Sequence, residues 1–484
     1  MAGTSRKPWH PWIKILLGVL AAAVLLPVAA GLWVARGDPE IRLDSHRSYL
    51  ASIAGVGQRS APNIVLVVAD DLGYGDVSSF GSLAIRTPHI DAVASDGIRL
   101  THFYAASPVC SPSRFSFLTG RYPTRGFIHA VFFPSGTAAG LAVNTFCFPR
   151  GVRGIPADEI TVAEALRAAG YATGMFGKWH LGDRSPHLPT EKGFDYFFGS
   201  YYSNDMRPYA YYRNGAVAIE APADQTTLTR ALTEEILAFV ESNADGPFFV
   251  YYPSPFPHAP VHASEDFRGT SRAGSYGDCV EEFDWSVGRI RSRIAELGLE
   301  ENTLFVVTSD NGPWHEGSSG PYRGRKANSF DGGQLVPFVA SWPGRIPSGT
   351  ESSTAAMSID LFPTLLEAAG VPLPADRAID GSSLVPLLAR EAGRLADRPL
   401  YFVAGGEYVG VRTAGNLKYL AAHRSENSAD WMVDHGPFLF DLSRDPTESY
   451  DLSARLPEEH RRLAGLVRHM NGQNRRNPRG WLAP

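Results

Sequence analysis

Along this 484-residue chain, short uncharged runs alternate with stretches in which apolar residues recur every three or four positions. Ile64-Val65-Leu66-Val67-Val68-Ala69 is apolar throughout, the pattern of a strand buried on both faces. Ala172-Thr173-Gly174-Met175-Phe176, Phe248-Phe249-Val250-Tyr251-Tyr252 and Leu304-Phe305-Val306-Val307-Thr308 read the same way. Helical patterns lie between them. Thr161 and Glu164 form a capping box that opens a helix stopping at Gly170. Leu228 to Val240 has helical spacing, and Val280, Phe283, Val287, Ile290, Ile294 and Leu297 trace a long amphipathic helix. The alternation predicts an α/β fold, with a large, mostly parallel sheet sandwiched by helices.

Two stretches break this rhythm. After about residue 395, Leu400–Val403, Tyr408–Arg412, Lys418–Leu420 and Phe438–Phe440 read as short strands joined by turns, followed by a helix from Pro457 to about Met470. A smaller C-terminal antiparallel sheet with a packed helix is expected there. At the other end, Ile15 to Ala35 carry no charge and as a helix would span roughly 30 Å, the thickness of a bilayer core. Arg6, Lys7 and Lys14 precede the run, which places the N-terminus in the cytoplasm and the rest of the chain outside. The run is either a membrane anchor or a cleaved signal segment, and both export the protein. The expected organisation is an anchor or signal over 1–36, a linker over 37–61, a main α/β domain over 62–395 and an α+β subdomain over 396–484.

Composition narrows the function. The net charge of −5 is spread without a basic block, which excludes nucleic acid as a partner. Three cysteines, Cys110, Cys147 and Cys279, are too few for a disulfide framework. Cys147 and Cys279 either form one bridge or remain separate thiols.

Charged clusters follow four of the predicted strands: Asp70-Asp71, Lys178-Trp179-His180, His258 and Asp310-Asn311. In open α/β sheets ligands bind beyond the carboxyl ends of strands, so the four clusters are expected to converge on one site. Asp70, Asp71, Asp310 and Asn311 offer only oxygen ligands, the set preferred by Ca²⁺ or Mg²⁺ over Zn²⁺. An isolated Asp-Asp pair would more simply be a turn or cap. The second oxygen pair favours the metal.

The segment Cys110-Ser111-Pro112-Ser113-Arg114-Phe115-Ser116-Phe117-Leu118-Thr119-Gly120-Arg121 is the most specific in the chain. It resembles the C-x-P-S-R-x-x-x-L-T-G-R signature of the type I, formylglycine-dependent sulfatases of the alkaline phosphatase superfamily. Asp70 to Asp76, Gly177 to Gly182, Pro257-His258 and Ser309 to Gly312 match further family motifs in family order. The resemblance spans roughly residues 62 to 455 and is nearest to the arylsulfatase A and N-acetylgalactosamine-6-sulfatase group. It implies an alkaline phosphatase-like fold and hydrolysis of sulfate esters, of an aryl group or a sugar.

It also implies that a separate formylglycine-generating (sulfatase-maturing) enzyme converts Cys110 to formylglycine (3-oxoalanine), whose gem-diol attacks sulfur. One divalent cation per subunit would sit on Asp70, Asp71, Asp310, Asn311 and the modified Cys110. Lys178 and Lys326 would bind sulfate oxygens, and Arg114 would pair with Asp70 or Asp71. His180 would orient and deprotonate the second hydroxyl, and His258 with Lys326 would protonate the leaving oxygen. A helix beginning just after Cys110 would add its positive dipole end.

The chain departs from the family pattern in two places. Around Lys326 the spacing and the double glycine Gly332-Gly333 survive, but the run Ala327-Asn328-Ser329 replaces a Gly-Thr-Thr turn, and Arg323 and Arg325 compete for the role of Lys326. An apparent insertion around Thr137 to Arg153 is expected near the substrate entrance. Tyr201 to Met206 matches a loop at the pocket rim. Tyr209, Tyr211, Tyr212, Trp314 and His315 either offer aromatic surfaces to a substrate or simply pack. A phosphodiester or phosphonate monoester hydrolase using the same formylglycine–metal site is the alternative activity. A tethered binder of sulfated glycans is the non-enzymatic one.

Overall fold

In the computed structural model the four expected apolar strands lie side by side, all pointing the same way. The structure describes residues 41–57, 61–148, 151–390, 398–421 and 435–482. The anchor or signal expected over 1–36 lies outside them. Among the described residues, no helix is long and apolar enough to cross a membrane.

Among the described residues, the main sheet has eleven strands. In chain order they are β1 Asn63–Ala69, β2 Ile98–Tyr104, β3 Ala172–Lys178, β4 Tyr196–Ser200, β5 Tyr211–Arg213, β6 Ala216–Ile219, β7 Phe248–Pro253, β8 Thr303–Ser309, β9 Leu335–Ser341, β10 Thr350–Ser352 and β11 Ala356–Met357. Their order is β10-β2-β9-β8-β1-β7-β3-β4-β5-β6, with β11 beside β2. The central block β8-β1-β7-β3-β4 is parallel. The strands β9, β5 and β6 join it antiparallel. The fold class is thus the expected one: a large mixed sheet, parallel at its centre.

Every residue of β1 is buried, as the unbroken apolar run requires. Ile64, Leu66 and Val68 face one core layer, and Val65, Val67 and Ala69 face the other. Helices Cys110–Thr119, Val162–Ala168 and Leu361–Ala368 cover the first face. Helices Leu228–Ser242 and Gly274–Glu296 cover the second. The capping box at Thr161 is present, with its hydroxyl accepting from Glu164 N at 3.0 Å and Glu164 accepting from Thr161 N at 2.9 Å.

The C-terminal sheet is β12 Leu400–Ala404, β13 Glu407–Arg412, β14 Leu417–Leu420 and β15 Phe438–Asp441, antiparallel throughout. Helix Pro457–Arg476 packs on it through Leu463, Ala464 and Val467. Within the stretch expected as linker, Leu43–Ser52 is helical and Ile53 is buried in the first core layer. No bridge joins Cys279, whose thiol lies 3.5 Å from the carbonyl oxygen of His262.

Candidate active site

Because β8, β1, β7 and β3 are adjacent and parallel, their carboxyl ends share one edge of the sheet. Asp310-Asn311, Asp70-Asp71, the loop to His258, and Lys178 to His180 leave from those four ends in that order. Helix Cys110–Thr119 aims its first turn at the same place, with Cys110 as its first residue and Val109 as its extended N-cap. Its unpaired amide groups add a positive end beside the thiol. Asp71, His180 and Ala327 hold left-handed backbone conformations at φ 65°, 60° and 70°. Strain of this kind in non-glycine residues collects where a site over-determines the backbone.

The Cys110 thiol lies 3.5 Å from Asp70 Oδ1. Lys178 Nζ reaches Asp70 Oδ2 at 2.6 Å and Ser203 Oγ at 3.2 Å. Lys326 Nζ reaches Asp71 at 2.8 Å. Arg114 donates to Asp310 Oδ2 from both Nη2 (2.9 Å) and Nε (3.1 Å), and Nη1 donates to the Lys178 carbonyl at 2.8 Å. Asp70, Arg114 and Lys178 are sealed from solvent, whereas the Lys326 and His258 side chains each keep 12% exposure. The site therefore opens on the side of those two residues.

Burial would raise the Asp70 carboxyl, but Lys178, His258, Arg114 and Lys326 together hold it well below the usual range. Burial pushes the Cys110 thiol up to about 12, so the encoded thiol is not a thiolate nucleophile at neutral pH. Burial, reinforced by Lys178 and Arg114, holds His180 well below its ordinary value, and burial with Lys326 lowers His258.

Ligand atoms of Asp70, Asp71, Cys110 and His258 lie within 4.8 Å of one another. Asn311 donates to Asp71 Oδ1 at 2.7 Å, while its own Oδ1 is buried without a hydrogen-bond partner. Asp310 Oδ1 accepts from Asp71 N at 3.2 Å. A buried carboxylate pair with an unused amide oxygen beside it fits a hard divalent cation.

The histidines differ in their restraints. His180 Nε2 is 2.9 Å from the carbonyl oxygen of Phe132, and its Nδ1 is buried without a partner. His258 Nδ1 is 2.9 Å from Asn204 Oδ1. The amide nitrogen of Asn204 donates to Gln225 Oε1 and to the carbonyls of His258 and Pro260, at 2.9 to 3.1 Å. The oxygen of Asn204 therefore faces the ring, Nδ1 carries the proton, and Nε2 is left toward Asp71, 3.7 Å away.

The charged residues expected to share a site meet here. Arg114 pairs with Asp310 at 2.9 Å and with Asp70, one of its two candidate partners, at 3.5 Å. Neither arginine near Lys326 displaces it. Arg323 lies 4.0 Å above the Phe330 ring and donates to the Glu448 carbonyl, and Arg325 turns to His315 at 3.3 Å. The double glycine matters for packing: a Cβ on Gly333 would stand 2.1 Å from the Asn328 carbonyl oxygen.

Of the aromatic candidates, Tyr209 and Tyr211 are core residues, and Tyr212 stacks on Tyr201 at 4.5 Å. Packing explains these three. Ser203 and Asn204 lie in the rim loop read from the sequence, just past the end of β4, and meet Lys178 and His258. The Phe132 carbonyl escaped sequence reasoning as a contact of the site.

The sulfatase family pattern matches residues 62–371, and the C-terminal pattern of N-sulphoglucosamine sulphohydrolase matches 325–463. The dog N-acetylgalactosamine-6-sulfatase is 37% identical over 452 residues, covering 83% of this chain and 84% of that protein. The human steryl-sulfatase is 33% identical over 502 residues, covering 81% and 84%. A solved sulfatase from Pseudoalteromonas sp. superposes with a TM-score of 0.76 at 25% identity, covering 90% of this chain and 95% of its own. These matches span both the catalytic edge and the C-terminal sheet, and they make the chain a member of the sulfatase family, a sulfuric ester hydrolase.

Proposed function

We propose that this hydrolase cleaves the sulfate ester of a sulfated sugar or aryl alcohol at the oxidised side chain of Cys110. One observation carries the reading: a buried thiol with a raised pKa stands at a helix N-terminus, 3.5 Å from Asp70, inside the complete maturation motif Cys110-x-Pro112-x-Arg114. Formylglycine at this position supplies a hydrated aldehyde oxygen as nucleophile, which the thiol itself cannot do at neutral pH. A divalent cation, Ca²⁺ or Mg²⁺, held by Asp70, Asp71, Asp310 and Asn311 supplies Lewis-acid polarisation of a sulfate oxygen.

The chain's own residues divide the remaining work. Lys178 and Lys326 neutralise charge on sulfate oxygens, one from the sealed floor and one from the open side. Arg114 holds Asp310 and Asp70 in place by a forked contact. His180, neutral and with a bare Nδ1, accepts a proton within the sealed floor. His258 and Lys326 stand at the mouth, where the alcohol leaves: Lys326 offers a proton to its oxygen, and His258 does so once its Nε2 is protonated beside Asp71. The reading includes a sulfatase-maturing enzyme as partner and export directed by the uncharged run 15–35, as anchor or signal.

Two measurements test it. Peptide mass analysis after co-expression with a maturing enzyme should find the Cys110 peptide lighter by about 18 Da, the exchange of sulfur and two hydrogens for oxygen. A Cys110 peptide that stays a thiol in turnover-competent protein would sink the proposal. Matched sulfate and phosphate monoesters with one leaving group should be cleaved with sulfate preferred, and a preference for phosphate would favour the phosphonate or phosphodiester alternative.

A further inference from the structure

The stretch 137–153, read from the sequence as an insertion, has no role in the reaction as described, yet its helix bears on the backbone next to His180. Phe132 is the link. Its N–H donates to Ser111 Oγ at 3.1 Å, and its carbonyl lies 2.9 Å from His180 Nε2. A carbonyl oxygen only accepts, so Nε2 carries the hydrogen. A neutral imidazole has one N–H, which leaves Nδ1 as a bare lone pair, and that atom is buried without a partner. The Phe132 peptide thus joins the second residue of the nucleophile helix to the histidine and dictates its tautomer.

The insertion holds this peptide from the other side. Helix Ala138–Phe146 places Asn144 against the next residue: Phe133 N donates to Asn144 Oδ1 at 3.2 Å, and Asn144 Nδ2 donates to the Phe133 carbonyl at 2.9 Å. The amide replaces a neighbouring strand, satisfying both polar groups of Phe133. Phe148, just past the helix, stacks flat on the Phe132 ring with centroids 4.2 Å apart and planes 7° apart. Ser135 is tied to Asp183 through its N–H at 3.1 Å and its hydroxyl at 2.8 Å. Asn144, Phe132 and Phe148 are all buried.

We infer that residues 131–135 form a positioning strap, clamped between Ser111 and the inserted helix through Asn144 and Phe148, that fixes His180 in the Nε2–H tautomer. Ser111, Asn144 and Phe148 are positioning residues that act through the Phe132 carbonyl. The inference rests on the reading above that His180 Nδ1 accepts a proton.

The test uses the full chain and the variants Ser111→Ala and Asn144→Ala, both of which keep Cys110, Pro112 and Arg114 and therefore the maturation motif. ¹⁵N NMR of histidine-labelled, unmodified protein reports the tautomer directly and needs no turnover. The wild type should show His180 protonated at Nε2 and bare at Nδ1. Each folded variant should show averaged ring-nitrogen shifts, and Ser111→Thr, which restores the hydroxyl, should return the fixed tautomer.

In matured protein each alanine variant should lower kcat by roughly 10- to 100-fold, the scale of a misplaced catalytic group, with KM unchanged. The same fixed tautomer in Ser111→Ala and Asn144→Ala as in the wild type would overturn the strap. Should Asn144→Ala fail to fold, Ser111→Ala decides alone. Full turnover in His180→Ala would instead overturn the assignment of His180 in the reaction, an outcome the tautomer measurement keeps distinct.

Discussion

At the scale of single residues, Lys326 carries the sharpest contrast. Its neighbours Arg323 and Arg325 hold the same charge but are turned elsewhere, one onto Phe330 and Glu448, the other toward His315. Of the three, it is Lys326 that meets Asp71, at 2.8 Å, from the open side of the site. Lys326→Ala should therefore cut kcat/KM by roughly 100-fold or more, the range for losing a group that stabilises transition-state charge. Arg325→Ala should change it little. Steady-state kinetics on an aryl sulfate checks both, and equal losses would mean that general positive charge, not one placed ammonium, matters. The departure from the family's Gly-Thr-Thr turn left this residue ambiguous in sequence, because the deciding contact is with a carboxylate 255 positions away.

At the scale of elements, β3 delivers Lys178 and His180 through a backbone that tolerates little. Gly177 has φ +127°, and a Cβ there would stand 2.1 Å from the Pro253 carbonyl oxygen of the neighbouring β7. Gly177→Ala should destabilise the protein by about 2 kcal/mol or more, through strain and a forced shift of β7. Thermal unfolding of the variant against wild type reads this, and an unchanged transition would contradict the packing described.

The central strands were legible in the sequence because burial on both faces leaves an unbroken apolar run. The antiparallel side of the sheet was not. β9 carries Pro337 in mid-strand, which reads as a break, and β2 mixes Arg99, Thr101 and His102 among its apolar positions. The site was legible to the extent that its residues follow strand ends directly. Ser203 and Asn204 were legible only as part of the rim loop after β4, and Phe132 was not, because it meets His180 through a tertiary contact with no local pattern.

At the scale of the molecule, the last residue of the signature segment ties the catalytic domain to the chain's C-terminal end. Arg121 clasps Glu159 at 2.7 Å, and Arg479 bonds Asp158 at 2.7 Å and Glu159 at 3.1 Å, all sealed from solvent. Burial opposes the Glu159 charge, but Arg121, Arg479 and Arg377 outweigh it and lower its pKa from 4.5 to about 2. A depressed carboxyl stabilises the fold above its unfolded pKa, and that contribution fades as pH falls from about 4.5 toward about 2. Glu159→Gln should cost roughly 3–5 kcal/mol near neutral pH, since it strands buried guanidinium groups. It should also flatten the loss of stability on acidification. Denaturant unfolding of both proteins across that pH window checks the sign, and a steeper acid loss in the variant would contradict it.

The account as a whole rests on Cys110 as the precursor of the reacting group. Its most direct test is sulfate release from an aryl sulfate by the chain co-expressed with a maturing enzyme, beside the Cys110→Ala variant prepared identically. The proposal predicts steady sulfate release by the wild type and none above background by the variant. Comparable release by Cys110→Ala would contradict the account.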